Sequence, residues 1–204
     1  MNKVNYQKEL DKIISDITLK GEVKTLLLHS CCAPCSSYVL KYLSEYFKIT
    51  LLYFNPNIFP QEEYVKRVNE QKRLISELPV RNPIEFLEGR YEPKEFFDAV
   101  KGMENEPEGG SRCMVCYEMR LREAAIYASR MGFDYFTTTL SISPLKNAGK
   151  INEIGTKLSE EYGVMHLPSD FKKREGYKQS VELSKEYNLY RQNFCGCVYS
   201  QNNN

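Results

Sequence analysis

The spacing of apolar residues changes several times along the chain, and each change predicts a different element. Near the N-terminus, apolar residues recur at the i, i+3, i+4, i+7 spacing of an amphipathic helix, at Leu10, Ile13, Ile14 and Ile17. After Gly21, the run KTLLLHS is short and continuously apolar, which is typical of a parallel strand buried on both faces. Later runs predict further strands at KITLLYFNPN and NPIEFLEGR, and DYFTTTLSISP predicts a fourth strand with its exit loop. GVMHLP is a candidate fifth strand.

Helical stretches lie between these strands. We expect helices from Pro34 to about Phe47, from Pro60 to roughly Leu78, over a short segment after Pro93, from Cys113 to Met131 and from about Lys150 to Tyr162. This alternation predicts an α/β fold, a parallel sheet flanked by helices with right-handed crossovers. We expect one domain over residues 1–204, in which residues 1–22 form an N-terminal helical extension and about 165–204 a helical C-terminal layer.

Composition narrows the class of protein. The chain has 204 residues, of which 42% are hydrophobic and 27% charged, as in ordinary globular proteins. The start, MNKVNYQKEL, lacks the apolar segment of a signal peptide, and no apolar run approaches membrane-spanning length. We therefore expect a cytoplasmic protein with no membrane partner. The net charge of +1 means that a site for a polyanion would have to be local.

Seven cysteines are the most unusual feature of the sequence. They form three groups, Cys31, Cys32 and Cys35 directly after the first strand, Cys113 and Cys116 where a glycine-rich loop leads into a helix, and Cys195 and Cys197 near the C-terminus. Ligands of doubly wound sheets bind outside the carboxyl ends of the strands, and helix N-termini favour the thiolate form that binds metals. Cytosolic cysteine clusters are more often metal-binding or catalytic than disulfide-bonded.

The spacing of the cysteines leaves several kinds of site open. Two Cys-x-x-Cys pairs, Cys32 with Cys35 and Cys113 with Cys116, suit either a structural zinc ion or a [4Fe–4S] cluster. The remaining three, Cys31, Cys195 and Cys197, would be redundant for a lone zinc, but they could hold a second metal with an open position for substrate. The pattern is also compatible with a dithiol site that forms a disulfide when oxidised, or with simple packing in the core.

Other sequence signals are weaker. The chain has neither G-x-G-x-x-G nor G-x-x-x-x-G-K-[ST], so electrons for a redox reaction would come from an external donor. His29 ends the first strand within reach of Cys31 and Cys32, either as a site residue or as a backbone cap. Between Lys172 and Lys178, four basic residues and one acidic residue give a local charge of +3 beside aromatic residues. Such a segment is usually a solvated face, but it also suits contact with nucleic acid.

Five segments together resemble the epoxyqueuosine reductases of the QueH type. They are LHSCCAPCS, RCMVCYEMRL, DYFTTTLSISP, LPSDFKKREGYKQS and LYRQNFCGCVYS, which run in family order from Leu28 to Ser200. The resemblance implies a Rossmann-like fold of the nucleotide-hydrolase (HUP) type. It also implies deoxygenation of epoxyqueuosine to queuosine at the wobble position of a tRNA with a GUN-type anticodon. An iron–sulfur cluster, an additional iron and an external low-potential electron donor are implied as well.

The resemblance carries specific expectations for site residues. We expect Cys32, Cys35, Cys113 and Cys116 to hold the [4Fe–4S] cluster, and Cys31, Cys195 and Cys197 to hold the additional iron, which faces the substrate. Candidates for tRNA contact are Lys172, Lys173, Arg174, Tyr177, Lys178 and Arg191. Two other classes stay open: an ATP-dependent or sulfur-transferring tRNA-modifying enzyme on the same fold, and a non-catalytic zinc-stabilised binding domain. The first should carry a phosphate loop where this chain has HSCCAPCSS.

Overall fold

A computed structural model describes residues 4–200 of the chain. The helices are α1 (Tyr6–Leu19), α2 (Ala33–Leu43), α3 (Gln61–Glu77), α4 (Pro93–Ala99), α5 (Ser111–Met131), α6 (Ala148–Tyr162) and α7 (Gly176–Glu186). The strands are β1 (Lys24–His29), β2 (Phe47–Tyr53), β3 (Ile84–Glu88), β4 (Tyr135–Thr138) and β5 (Met165–His166). They form one parallel sheet in the order β3-β2-β1-β4-β5. The expected α/β fold is confirmed.

The central strand separates two hydrophobic layers. Leu26 and Leu28 pack into the layer that contains α1, α2 and α3, whereas Leu27 packs into the layer formed with α5 and α6. All three leucines are fully buried, which explains why the middle of β1 is continuously apolar rather than alternating. Fully burying one such side chain contributes about 1.5–3 kcal/mol to folding.

The ends of two expected elements differ from the structure. The helix that begins near Pro34 ends at Leu43, because Phe47 already belongs to β2, where it pairs with Lys24 and its ring contacts Tyr135. The fourth strand stops at Thr138, and its expected continuation is a 3-10 helix at Thr139–Ile142. Within residues 4–200, no helix combines the length and the apolar character needed to cross a membrane.

The strand order creates a crevice at one position. From β1 the chain adds β2 and β3 on one side, then returns to add β4 and β5 on the other. In such sheets the connections after the two strands at the reversal, here β1 and β4, lead to opposite faces of the sheet. This leaves a ligand crevice outside the carboxyl ends of these strands. Here the segment after β1 carries Cys31, Cys32 and Cys35, and the segment after β4 leads to Lys146.

The packing of α6 on the short strand β5 depends on a glycine. A Cβ atom at Gly155 would lie within 2.5 Å of three atoms of the His166 ring, whose centroid is 5.2 Å from that of Phe136. We predict that Gly155→Ala lowers the free energy of unfolding by about 1–3 kcal/mol, because the added methyl group overpacks the contact with His166. This loss outweighs the higher helix propensity of alanine. Denaturant unfolding measures this, and adding His166→Ala should recover part of the loss. A Gly155→Ala protein as stable as the wild type would contradict this account of the packing.

Candidate metal centre

The first group of cysteines occupies the turn between β1 and α2. Cys32 is the N-terminal cap of α2 in an extended conformation, and the sulfur atoms of Cys31, Cys32 and Cys35 all lie within 4.8 Å of one another. The Sγ atoms of Cys31 and Cys32 are 3.9 Å apart. Three sulfurs this close at a helix N-terminus can ligate a single metal ion.

Buried polar side chains hold this turn in place through hydrogen bonds to its backbone carbonyls. The Tyr53 hydroxyl donates a hydrogen bond to the carbonyl of Cys31 at 3.2 Å, and the Asn55 amide donates one to the carbonyl of Ser30 at 2.8 Å. Both ring nitrogens of His29 are engaged, with Thr138 Oγ1 at 2.9 Å and the carbonyl of Phe54 at 3.1 Å. Burial lowers the pKa of His29 to about 4, so the ring is neutral. His29 therefore joins β1 to its neighbours rather than facing the cysteines as a ligand.

The second group lies in the first turns of α5. The helix begins after Gly110, and the backbone N–H of Gly109 donates to the sulfur of Cys113 at 3.2 Å. Cys116, one turn further along, is buried beside Cys197, Phe96 and Val100. The loop before α5 and the first turn of α5 therefore present two sulfurs toward the C-terminal cysteines.

The C-terminal group is held in place by α3 and the loop before it. The Arg67 guanidinium donates to the carbonyl of Cys195 at 3.1 Å, and the N–H of Phe59 donates to the carbonyl of Gly196 at 3.0 Å. Gly196 has a φ of +102°, and a Cβ atom there would lie 3.0 Å from Ile58 and 3.1 Å from Arg67. Only glycine combines this backbone conformation with so close an approach. The Cys-Gly-Cys spacing is thus dictated by the turn.

All seven cysteines line two adjoining cavities. The larger has a volume of about 300 Å³ and includes Cys31, Cys32, Cys35 and Cys195 in its wall. The smaller is lined by Cys113, Cys116, Cys195 and Cys197. Cys195 and Lys146 belong to both cavities. Segments from opposite ends of the chain thus meet at the crevice outside β1 and β4.

Comparison with known proteins identifies the family. The family model described as "Epoxyqueuosine reductase QueH" matches residues 26–203, most of the chain. The chain belongs to the epoxyqueuosine reductase QueH family. Curated relatives of that name include those of Staphylococcus epidermidis (45% identical, covering 97% of this chain and 85% of the relative) and Streptococcus pyogenes (43%, covering 97% and 78%). A more distant one, from Thermotoga maritima, is 36% identical and covers 86% of this chain and 90% of the relative.

The sulfurs of this QueH chain group differently from the division that the sequence suggests. Cys31, Cys32 and Cys35 form the compact set, and the other four cysteines surround the smaller cavity. The expected division, with Cys31 assigned to a different metal from Cys32, stays a prediction. What the geometry supports is a metal held by Cys31, Cys32 and Cys35.

The charge distribution fits a centre rich in thiolates. The pKa of Cys32 is lowered well below its usual value, because hydrogen bonds from Cys31 and then Cys35 stabilise its thiolate. Those same contacts raise the pKa of Cys31 and Cys35, and burial raises that of Cys116 to about 12. Within the compact set, Cys32 is thus the sulfur whose thiolate form its neighbours stabilise.

Four buried or half-buried cations lie near these sulfurs: Arg67, Arg112, Arg120 and Lys146. Arg112 donates to two backbone carbonyls. Arg67 pairs with Glu63 at 2.7 Å, but Arg120 and Lys146 have no carboxylate partner in residues 4–200. The Lys146 ammonium lies 3.6 Å from the sulfur of Cys195. Burial alone would lower the pKa of Lys146, but Cys195 and Cys31 outweigh it and raise that pKa above its usual value. Unpaired buried cations need nearby anions, so the residues present fit a thiolate-bound metal centre.

The candidate tRNA contacts lie in different surroundings. Tyr177 and Arg191 line the larger cavity. Lys172 points inward, with its ammonium 2.9 Å from the carbonyl of Ser141. The others are surface residues: Arg174 pairs with Asp11, Lys178 pairs with Glu175, and Lys173 is exposed. The structure therefore brings two of the six candidates, Tyr177 and Arg191, to the cysteines, and the contact role of each stays a prediction.

Sequence reasoning missed the buried cations. Arg120 had a readable signal, since it follows Cys116 by four residues and therefore lies one helical turn away on the same face. Lys146 follows the fourth strand, whose carboxyl end lies at the crevice, so the sequence also indicates that Lys146 is near the site. Arg67 gave no such signal, because α3 contains no cysteine and reaches the centre only through the folding of the C-terminal segment.

The turn at Gly196 provides a test of how the C-terminal cysteines are positioned. We predict that Gly196→Ala weakens binding of Co²⁺ to the metal-free protein, because the added Cβ displaces Cys195 and Cys197. Gly21→Ala is the matched control, since Gly21 also has a positive φ but open space around it. Both should lose about 1–3 kcal/mol of stability through backbone strain, but only Gly196→Ala should weaken the thiolate–Co²⁺ absorption. Equal Co²⁺ binding by both variants would rule out the positioning role.

Proposed function

We propose that this chain is an epoxyqueuosine reductase that acts on tRNA through a metal centre built from its seven cysteines. The observation that carries the proposal is the meeting of all three cysteine groups at the crevice outside β1 and β4, within the segment matched by the family. Deoxygenation of an epoxide to an alkene consumes two electrons and two protons and releases water. The electrons would come from an external low-potential donor.

The proposed ligands follow the three groups. Cys32, Cys35, Cys113 and Cys116 would hold a [4Fe–4S] cluster, and Cys31, Cys195 and Cys197 an additional iron. When bound, the cluster would supply electrons one at a time and the iron would supply a Lewis acid for the carbon–oxygen bond. The burial of Cys31, Cys32, Cys116 and Cys197 supports a metal centre at these sulfurs, because burial restricts access of water to them.

The chain's own residues would bind and orient the substrate. Tyr177 and Arg191, which are exposed, line the larger cavity together with the compact set of cysteines. Its volume of about 300 Å³ suits a modified base that has left the anticodon loop. The Tyr177 ring, 41% exposed, is placed to stack on such a base. Lys146, at the boundary of the two cavities, would stabilise negative charge beside Cys195.

Anaerobic reconstitution tests the function directly. Protein loaded with iron and sulfide should convert epoxyqueuosine-containing tRNA to the queuosine form when a strong one-electron reductant is supplied, as measured by nucleoside mass spectrometry. Cys113→Ser and Cys116→Ser should lose the visible absorption of the cluster, whereas Cys195→Ser and Cys197→Ser should keep it and lose iron and activity. A fully loaded wild-type protein without turnover would remove the proposed function, and a zinc-only protein would favour a zinc-stabilised binding domain.

Two substitutions test the tRNA contacts. Arg191→Ala should weaken tRNA binding and reduce the slope of log affinity against log salt by about 1, as expected for one lost phosphate contact. Tyr177→Ala should cost about 1–3 kcal/mol of binding, the usual effect of losing one stacked base, with little change in slope. Arg130→Ala is the control, because Arg130 is exposed in the last turn of α5, which begins at the cysteines. Binding curves identical to that of the control would remove both contacts.

A further inference from the structure

Arg120 is a fully buried arginine that uses only one of its three guanidinium nitrogens in a hydrogen bond. It lies on α5 one turn after Cys116, and 1% of its surface is exposed. Its Nε donates to the carbonyl of Cys116 at 3.2 Å. Its Nη1 and Nη2 atoms are buried and have no hydrogen-bond partner within residues 4–200. The side chain lines the smaller cavity together with Cys113, Cys116, Cys195 and Cys197.

A second buried arginine, Arg67, shows what Arg120 lacks. Arg67 is equally buried, but its Nε pairs with Glu63 and its Nη1 with the carbonyl of Cys195. No carboxylate of the described residues forms an ion pair with Arg120. A guanidinium stays charged at any physiological pH, and an unpaired charge is among the most costly groups to bury. The position of Arg120 therefore requires an anion in the smaller cavity.

The smaller cavity is lined by four cysteine sulfurs and by Glu108, but Glu108 is exposed and forms no ion pair with Arg120. The sulfurs are therefore the groups placed to supply the negative charge. In the proposed arrangement Cys113 and Cys116 hold the cluster and Cys195 and Cys197 the additional iron. A [4Fe–4S] cluster with four thiolate ligands carries a net negative charge, which increases on reduction. Arg120 is thus uncompensated in the metal-free chain and compensated when the centre is assembled.

We propose that Arg120 is the charge-compensating residue of the cysteine centre, with its two free Nη groups directed at the sulfur-bound anion in the smaller cavity. This inference rests on the proposed function, because it presupposes a metal bound by these cysteines. The positive charge stabilises the loaded centre against loss of metal. It also stabilises the reduced state more than the oxidised state, because the reduced centre carries one more negative charge, and so it raises the reduction potential.

Three variants separate charge from packing. Arg120→Met removes the charge but keeps a long side chain, and Arg120→Lys keeps the charge without the planar fork. Arg122→Met is the matched control, because Arg122 lies two residues away on the same helix but pairs with Glu118 and Glu161 at the surface. Each protein is loaded anaerobically with iron and sulfide. Iron retention under a chelator, the midpoint potential and, for the metal-free form, denaturant unfolding are then measured.

Arg120→Met should lose iron at least tenfold faster than the wild type. At a fixed potential its ratio of reduced to oxidised centre should fall about tenfold, which is about 59 mV for one electron. Arg120→Lys should recover most of both losses, and Arg122→Met should change neither. The metal-free Arg120→Met protein should be as stable as the metal-free wild type or more so, because an unpaired buried charge has been removed. A merely structural role for Arg120 predicts the opposite.

Several outcomes would overturn the inference. Iron retention and potential unchanged in Arg120→Met, or a metal-free Arg120→Met protein that is unfolded, would show that Arg120 does not compensate the centre. A folded Arg120→Lys protein as defective as Arg120→Met would show that charge is not the cause. A wild type that holds iron but does not deoxygenate its substrate would remove only the proposed function. A wild type that takes up no iron would remove both.

Discussion

Parallel strands send their carboxyl ends to the same edge of the sheet, and this constraint sets where the site lies. β1 and β4 are neighbours at the point where the strand order reverses, so the segments after them diverge and leave a crevice. The turn after β1 brings Cys31, Cys32 and Cys35 to the crevice, and the segment after β4 brings Lys146. A sheet with the same strands but no reversal here would leave no gap for a ligand.

Electrostatics then decides what this crevice can hold. Arg120 and Lys146 are buried against sulfur without carboxylate partners among residues 4–200. A protein interior tolerates such charges only when opposite charge is close. The fold thus favours thiolate over thiol at the assembled centre. A thiolate-rich centre fits a family named as reductases, the epoxyqueuosine reductase QueH family. Reduction chemistry at such a centre is tuned by the net charge around it as much as by the ligands.

The C-terminal segment shows how distant parts of a chain are drawn to one place. Its course is fixed by polar contacts with α3: Arg73 donates to the carbonyls of Tyr187 and Asn188, and Glu70 accepts from the N–H of Tyr190. Arg67 continues the same row to Cys195. These hydrogen bonds and ion pairs lie on a face of α3 that the sequence pattern identifies only as polar. The helix therefore serves as the support of the site although it supplies no ligand.

The fold class, the three cysteine groups and the family could all be predicted from the amino-acid sequence, because these depend on local spacing. Continuous apolar runs predict buried parallel strands, and Cys-x-x-Cys pairs at helix starts predict a metal site whatever surrounds them. The folded chain was needed to show that the C-terminal cysteines adjoin the others and that Arg67 holds them. It also separated Tyr177 and Arg191, which line the cavity, from Lys172 and Arg174, which have other partners. These are contacts between residues far apart in the chain, and their geometry is fixed only when the layers pack against the sheet.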